Sequence, residues 1–180
     1  MVEPNLALSA AAGDDVALEQ LVHAYHDRVY RFGLRVCRDG FDAEDAVQQA
    51  FLKLARRPDV QRDPSALSWL MTVVRNACRR LLRPFVTGRV RLSDDASLEQ
   101  IQAPHLDPEA ALERWRLVHG VHRAIAGLDL PHREVLVMRD VEGLSGKEVC
   151  SALGLSEAAM KSRLHRARSL VREELQRSMQ

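Results

Sequence analysis

Two stretches of the sequence concentrate cationic side chains and contain no acidic residue. Residues 75–92 carry six arginines, and residues 158–172 carry four arginines together with Lys161 and His165. Neutralising nucleic-acid phosphates requires clustered cations on one face, which both stretches offer. For a single isolated charge run, a solvated helix face is the more frequent explanation. The arrangement of the neighbouring residues therefore has to distinguish a nucleic-acid-binding face from a solvated one.

The first cationic stretch shares a predicted helix face with an aromatic ring and an amide. A seven-residue step aligns Trp69 with Asn76 and Arg83, and Arg79 and Arg80 lie close beside them, opposite an apolar stripe. Aromatic rings and guanidinium groups on an exposed face suit unstacked bases and a single-strand backbone. The pattern indicates a single-strand binding surface, while a partly buried core position explains Trp69 equally well.

The second cationic stretch has the layout of a recognition helix. Its apolar residues recur at three- and four-residue steps on one side, and its cationic residues occupy the other side. In such helices the N-terminal half meets base edges, and later residues hold phosphates. For Arg163, an internal ion pair with an acid of the preceding helix is the alternative. The candidate DNA contacts are Lys161, Ser162, Arg163, His165, Arg166 and Arg168.

Apolar periodicity predicts helices almost everywhere and no strand, so the predicted fold class is all-α. The first helix is predicted over residues 18–36, the second begins at an N-cap at Asp42, and the third runs from about Pro64 to Arg83. Residues 57–63 are predicted to form a polar loop. We predict two small helical domains, residues 1–84 and 109–180, joined by a flexible linker at residues 85–108.

The predicted C-terminal domain has the helix start and stop signals of a helix-turn-helix. Ser145 and Glu148 have the spacing of a capping box at the start of a short helix. Gly154 ends that helix, and Ser156 offers the N-cap of the long helix that carries the second cationic stretch. A short helix, a tight turn with a glycine and a long second helix make up this motif. Because loose helix pairs are common, the shape alone leaves DNA binding undecided.

The bulk composition excludes several classes of protein. The chain has 180 residues, a net charge of +1 and 4% aromatic residues, so neither a uniformly basic surface nor a large stacking platform is expected. No apolar stretch approaches the roughly 20 residues that span a bilayer, and the N-terminus lacks the basic segment of a secretory signal. We therefore predict a cytoplasmic protein without membrane insertion.

The three cysteines, Cys37, Cys78 and Cys150, are widely spaced and form no Cys-x-x-Cys motif. This usage is typical of a protein in a reducing cytoplasm. A single disulfide or a redox-sensing thiol is the less frequent alternative.

Histidine pairs provide little evidence for a metal site. His23 with His26 and His119 with His122 have ligand-like spacing, but no cysteine or carboxylate partner stands at a matching step. The sequence also lacks a glycine-rich phosphate loop, a nucleophile elbow and a His-Glu-x-x-His motif. No metal, no cofactor and no enzymatic activity is predicted.

Four segments of the sequence stand in a distinctive order and spacing. Residues 42–54 read DAEDAVQQAFLKL, and residues 68–78 read SWLMTVVRNAC. Residues 130–136 read LPHREVL, and residues 160–168 read MKSRLHRAR. Over about residues 18–175 the chain thereby resembles the extracytoplasmic-function (ECF) sigma factors of bacterial RNA polymerase, the smallest kind in the sigma-70 family. The first two segments are similar to regions 2.2 and 2.3 of that family.

This resemblance implies a promoter-specificity subunit that acts with core RNA polymerase and is restrained by a cognate anti-sigma factor. The residues that it implies for polymerase docking are Asp45, Gln48, Gln49 and Leu52. The residues that it implies for the −10 element of promoter DNA are Trp69, Asn76, Arg79 and Arg80. The second cationic stretch would enter the major groove of the −35 element. For the docking face, ordinary helix solvation is the alternative.

Another class of protein is compatible with the residues alone. An autonomous helix-turn-helix regulator, with N-terminal helices that dimerise or sense a ligand, would need no polymerase. A helical adaptor that binds only proteins is a weaker alternative. Promoter-dependent transcription by core polymerase would distinguish a sigma factor from both of these alternatives.

Overall fold

A computed structural model of the chain describes residues 15–37, 39–61, 63–82 and 108–178. Most of these residues are helical, and none of them lies in a strand. Residues 85–107 of the predicted linker lie outside the described residues. The helices of the N-terminal unit are α1 (Asp15–Cys37), α2 (Gly40–Ala55), α3 (Pro58–Gln61) and α4 (Ala66–Leu82). Those of the C-terminal unit are α5 (Pro108–Gly127), α6 (Leu130–Leu136), α7 (Gly146–Leu153) and α8 (Glu157–Ser178).

In the N-terminal unit, α1, α2 and α4 pack against one another in pairs. The predicted apolar stripes face inwards, because Phe32, Val47 and Leu70 are all buried. Gly33 lies where α1 approaches both neighbours, since a Cβ placed there would contact Ala43 Cβ at 3.4 Å and Val74 at 3.5 Å. A larger side chain at this position would push the helices apart.

A disulfide joins the last residue of α1, Cys37, to Cys78 of α4. Both cysteines are buried. The structure thus contains the single disulfide that the sequence left open as the less frequent alternative. Cys150 of α7 is a free, partly buried thiol.

The start of α2 corrects one sequence prediction. Asp39, rather than Asp42, is the N-cap, and its carboxylate accepts a hydrogen bond from the Asp42 backbone N–H at 3.1 Å. The backbone of Asp39 is extended, with φ −138° and ψ 134°, as an N-cap requires. Asp42 therefore lies in the first turn, where partial burial and the nearby Asp39 and Asp45 carboxylates raise its pKa.

The segment predicted as a polar loop contains the short helix α3, and α4 begins at Ala66 rather than at Pro64. Gln61 at the end of α3 is buried, and its amide Nε2 donates to the carbonyl oxygen of Leu54 at 2.8 Å. The Leu54 carbonyl also accepts from the Arg57 N–H at 2.9 Å, so the Gln61 amide adds a second bond at the end of α2. This bond fixes α3 against α2.

The C-terminal unit contains the predicted helix-turn-helix, made by α7 and α8. Ser145 and Glu148 form the capping box, with backbone-to-side-chain distances of 2.8 and 3.2 Å. Gly154 adopts φ +64°, a left-handed conformation that favours glycine, and ends α7. The Ser156 hydroxyl accepts from the Ala159 N–H at 3.2 Å, which starts α8 as predicted.

The two units pack directly on each other. Helix α4 contacts α7, and α1 contacts α6 and the single π-helical turn over Val137–Val141 that extends α6. Buried side chains from both units therefore form one continuous apolar cluster. Within the described ranges, no helix has the length and apolar character needed to cross a membrane.

Candidate nucleic-acid and polymerase-binding surfaces

Helix α8 has one buried side and one exposed side, as its sequence pattern predicts. Met160, Leu164 and Ala167 are buried against the rest of the C-terminal unit. All six predicted DNA contacts on this helix have exposed side chains: Lys161, Ser162, Arg163, His165, Arg166 and Arg168. A helix-turn-helix thus presents a cationic face.

Two cations of this face are already paired within the protein. Arg168 makes a bidentate ion pair with Asp140, with Nε 2.8 Å from Oδ2 and Nη2 2.7 Å from Oδ1. Lys161 Nζ lies 2.7 Å from the Glu157 carboxylate one turn earlier. These hydrogen bonds raise the pKa of Arg168 and the pKa of Lys161 above their ordinary values. The internal pair that the sequence raised for Arg163 is made by Arg168 instead.

The turn between α6 and α7 fixes the position of the helix-turn-helix. Arg139 Nη1 donates to the carbonyl oxygen of Leu144 at 3.0 Å, and the Leu144 N–H donates to the Met138 carbonyl at 3.0 Å. Gly143 has φ +71°, so the chain reverses there without a Cβ clash. The acid that orients Arg168, Asp140, lies in this same π-helical segment.

The outer face of α4 carries the residues predicted for single-stranded DNA. Asn76, Arg79 and Arg80 have exposed side chains. Trp69 is partly buried and packs against the apolar core, so it combines the two positions that the sequence left open. Arg75, one of the six arginines of the first cationic stretch, is buried rather than exposed.

The segment before α4 is held by short-range polar contacts. Arg57 makes a bidentate pair with Asp59, at 2.8 and 2.6 Å. The hydrogen bond from Arg57 is the main cause that lowers the pKa of Asp59 to about 2. The Asp63 carboxylate accepts from the Ser65 N–H at 2.8 Å, and this bond lowers the pKa of Asp63. The segment is therefore preorganised next to Trp69.

The outer face of α2 carries the residues predicted for polymerase docking. Asp45, Gln48 and Leu52 have exposed side chains, and Gln49 is half-buried with its amide donating to Asp45 at 2.8 Å. Phe41 lies one turn before Asp45 and is 85% exposed, while Leu52 is 58% exposed. Two large apolar side chains on an otherwise polar face are typical of a protein-binding surface. The sequence prediction missed Phe41.

Within the described ranges, no group of three or more histidine, cysteine or acidic side chains is placed to hold a metal ion. His119 instead lies against Trp115, with ring centroids 3.9 Å apart. His26 stacks between Tyr30 and Phe51, at centroid distances of 6.1 and 6.0 Å. The contact with Phe51 joins His26 of α1 to α2, whereas the contact between His119 and Trp115 lies within α5.

Comparison with known proteins matches both units to one family. Residues 21–84 match sigma-70 region 2, and residues 119–171 match sigma-70 region 4. The ECF RNA polymerase sigma factor SigL of Mycobacterium tuberculosis is 33% identical to this chain, over 94% of this chain and 95% of that protein. The chain belongs to the ECF group of the sigma-70 family. The corresponding SigE of Mycolicibacterium smegmatis is 30% identical over 97% of this sigma factor and 70% of its own length.

Solved structures share the fold of this ECF sigma factor. The structure of CnrH in complex with the cytosolic domain of CnrY has a TM-score of 0.65 and 26% identity, covering 96% of each chain. The sigma factor RpoE in complex with the anti-sigma factor NepR from Bartonella quintana has a TM-score of 0.64 and 23% identity, covering 88% of this chain and 96% of RpoE. At that identity, RpoE supports the fold alone.

The sigma factor therefore has three separate candidate binding surfaces, on α2, α4 and α8.

The sequence prediction missed two acids that lie between the units, Glu134 and Glu142. Glu134 lies in the recognised LPHREVL segment but was assigned no role there. A charged residue inside an apolar helix stripe is the signal that would have marked it, because buried carboxylates need a cationic partner.

Proposed function

We propose that this ECF sigma factor uses the outer face of α8 to bind the −35 element, α4 to bind the −10 element and α2 to bind core RNA polymerase. The observation that supports this most directly is the cationic, exposed face of α8 on a capped helix-turn-helix that matches region 4. Membership of the sigma-70 family places these contacts in transcription initiation. The protein has no enzymatic role of its own in this proposal and acts in the cytoplasm.

In the proposed −35 complex, the N-terminal half of α8 lies in the major groove. Lys161, Arg163 and Arg166 would donate to base edges, and bidentate contacts to guanine are worth about 1–3 kcal/mol of discrimination each. Ser162 and His165 lie beside them on the exposed face. Arg168 lies further along α8, where Asp140 binds its Nε and Nη2, so a phosphate contact would use Nη1 and would compete with the charge of Asp140.

In the proposed −10 complex, the outer face of α4 receives separated bases. Trp69 exposes part of its ring for stacking, and Asn76 offers amide hydrogen bonds. Arg79 and Arg80 would bind the single-strand backbone. Capture of an unstacked base offsets the few kcal/mol that flipping costs, so melting needs no nucleotide hydrolysis. Residues 1–84 would form this functional domain, with a linker at 85–108 and the −35 domain at 109–180.

The polymerase contact that we propose combines apolar and polar groups on α2. Phe41 and Leu52 would bury their exposed side chains, while the Asp45–Gln49 hydrogen bond presents an ordered polar rim between them. Gln48 completes the face. The polymerase would hold the two DNA-binding units at the promoter spacing, which gives two weak modules their joint affinity.

An anti-sigma factor is the further partner that we propose. CnrH, which shares 26% identity and the fold, was solved in complex with the cytosolic domain of CnrY. A partner of this chain would cover one or more of the three surfaces and so prevent polymerase or promoter binding. Co-purification of the chain with such a protein from its own cells would test this part of the proposal.

Transcription in a purified system tests the proposed function. Core polymerase with this chain should initiate at promoters identified from transcript start sites after overexpression, and core polymerase alone should not. Replacing Arg163 and Arg166 by alanine should abolish initiation at −35-dependent promoters. Arg177→Ala, on the last turn of the same helix and paired with Glu174, is the matched control.

Other results would support one of the two alternative functions. An isolated chain that binds a palindromic site tightly at physiological salt, and that adds nothing to core polymerase, would support an autonomous helix-turn-helix regulator. Full activity after charge reversal at Arg163, Arg166 and Arg168 would instead favour the protein-binding adaptor.

A further inference from the structure

We propose that the free chain closes on itself and that Glu134 and Glu142 of the C-terminal unit hold it closed by binding arginines of the N-terminal unit. In this closed form, Glu134 takes the place of a promoter phosphate at the −10 face. The masking part of this inference rests on the proposed function of α4. The closure itself does not, because it concerns only how the two units pack.

Glu134 of α6 is the first closing contact. Its side chain is almost completely buried, and its Oε1 lies 2.9 Å from Arg75 Nε and 3.8 Å from Arg79 Nε. Arg75 and Arg79 are one turn apart on α4, so a single carboxylate engages both. Arg79 belongs to the proposed −10 face, and an acid close to it weakens its attraction for phosphate.

Glu142, at the end of the π-helical turn, is the second closing contact. Its carboxylate lies 3.4 Å from Arg28 Nε and 3.7 Å from Arg35 Nη1, both on α1. Arg28 Nη2 also donates to the backbone carbonyl of Glu142 at 2.6 Å. A backbone acceptor makes this contact directional as well as electrostatic.

Arg133 of α6 adds a third contact across the same junction. Its guanidinium is buried and donates to carbonyl oxygens at the end of α5, including those of Ile125 at 3.2 Å and Ala126 at 3.0 Å. The remaining Nη1 donates to the carbonyl of Arg35 on α1 at 3.2 Å. The residue that caps α5 is therefore also tied to the N-terminal unit.

The junction carries a desolvation cost that opening would relieve. Three buried side-chain atoms in the described part of the chain lack a hydrogen bond of normal geometry, namely Arg35 Nη1, Arg75 Nε and Glu134 Oε1. All three belong to this junction, although each takes part in an ion pair there. Burial also lowers the pKa of Arg35 below its ordinary value despite the nearby Glu142. Rehydration on opening therefore offsets much of the lost attraction.

Closure has a consequence for DNA binding. A protein whose binding-competent form is only a fraction of the population binds with an affinity reduced by that fraction. With Arg79 engaged and α7 packed on α4, the closed form leaves the two DNA faces fixed to each other. Polymerase docking would then select the open form, and the free chain would be kept from binding DNA at random.

Neutralising the two acids tests this inference from the C-terminal side. In Glu134→Gln with Glu142→Gln, we expect a larger radius of gyration in small-angle X-ray scattering of the free chain. We also expect about tenfold tighter binding of a fluorescent 20-nucleotide single-stranded DNA at fixed salt, as for a chain that is about nine-tenths closed. The control, Glu173→Gln with Glu174→Gln, changes the net charge equally near the end of α8, away from the junction.

A second matched pair separates opening from charge. Arg28→Gln breaks the junction from the N-terminal side while removing a positive charge. Arg31→Gln on the same helix removes a charge that repels Arg35 and makes no ion pair with Glu134 or Glu142, so it should not open the junction. Opening predicts that Arg28→Gln binds the oligonucleotide about threefold more tightly, whereas Arg31→Gln binds it no better than the parent chain.

These measurements test the closed form independently of the proposed function in transcription. An unchanged radius of gyration in both junction variants would show that Glu134 and Glu142 do not hold the units together, and it would overturn the inference whatever the chain does in transcription. A larger radius without a gain in DNA binding beyond the controls would overturn masking of Arg79. If the double glutamine variant does not fold by circular dichroism, the Arg28→Gln and Arg31→Gln comparison gives the decision alone.

Discussion

Arg168 of α8 and Asp140 of the π-helical turn form a two-point ion pair across the helix-turn-helix, at 2.8 and 2.7 Å. The pair connects α8 to the π-helical turn before the motif, 28 residues away in sequence. Bidentate arginine–carboxylate geometry restricts the orientation of the guanidinium. The position of Arg168 on the proposed −35 face is thus set by an acid outside that face.

A double-mutant cycle on this pair is expected to give a small coupling energy. Both side chains are substantially exposed, so Asp140→Asn, Arg168→Gln and the double variant should reveal about 0.5 kcal/mol of coupling in urea unfolding. Arg163→Gln, on the same face, is the control and should show no coupling to Asp140→Asn. A coupling at Arg163 equal to that at Arg168 would contradict the assignment of the pair.

Two leucines on α2 separate stability from polymerase binding. Leu54 is completely buried, and its replacement by alanine should cost about 2–5 kcal/mol of unfolding free energy. Leu52→Ala, at a position 58% exposed, should change stability by less than about 0.5 kcal/mol but weaken binding to core polymerase. Denaturant unfolding and a pull-down with core polymerase measure the two effects. Wild-type polymerase affinity in Leu52→Ala would exclude this face.

Lys161 is expected to read a base rather than only a phosphate. Lys161→Ala in the holoenzyme should relax preference at one base pair of the −35 element by about 1–3 kcal/mol, as binding to a set of single-base variants measures. Arg168→Gln should instead weaken all sequences alike and lower the salt dependence by about one charge. Uniform weakening in Lys161→Ala would assign Lys161 to the backbone.

The disulfide between Cys37 and Cys78 should contribute to stability. It closes a sequence separation of 41 residues, and a bridge of this kind typically stabilises a fold by about 2–4 kcal/mol. Urea unfolding with and without reductant measures this contribution, and thiol labelling of the native and denatured protein counts the free cysteines. Three labelled cysteines in denatured, unreduced protein would show that the bridge is absent in solution.

The Asp59 carboxyl should titrate at unusually low pH. Its pKa of about 2 results mainly from the hydrogen bond with Arg57, so Arg57→Gln should return it towards its ordinary value of 3.8. Because the folded-state pKa is lowered, the contribution of this pair to stability is complete above the unfolded-state pKa and is lost as pH falls through about 2. Side-chain carboxyl chemical shifts followed by NMR give both values. Equal pKa values in parent and variant would show that the pair is not formed.

The sequence alone predicts the local features of this protein. The apolar stripe of α8, the Ser145–Glu148 capping box and the left-handed Gly154 each depend on residues within one or two helical turns. Their side chains meet whatever the rest of the chain does. The all-helical fold, the helix-turn-helix and the family resemblance follow from such short-range patterns.

Boundaries were less accurate where a side chain acts outside its own turn. Asp39 rather than Asp42 starts α2, and Gln61 belongs to a helix because its amide reaches Leu54. Both departures arise from a polar side chain bound to a backbone group. Residue type alone predicts such a side chain equally well as part of a loop.

The sequence by itself determined that this chain makes helices with a cationic face on α4 and on α8, because helical periodicity is a property of neighbouring residues. Only the tertiary structure decided that Arg75 is buried, that Arg79 lies beside Glu134, and that Cys37 meets Cys78. These partners are distant in sequence, and their meeting depends on how α1, α4 and α6 pack. The energy of a charge depends on that packing, because burial removes water and leaves the opposing side chain as its partner.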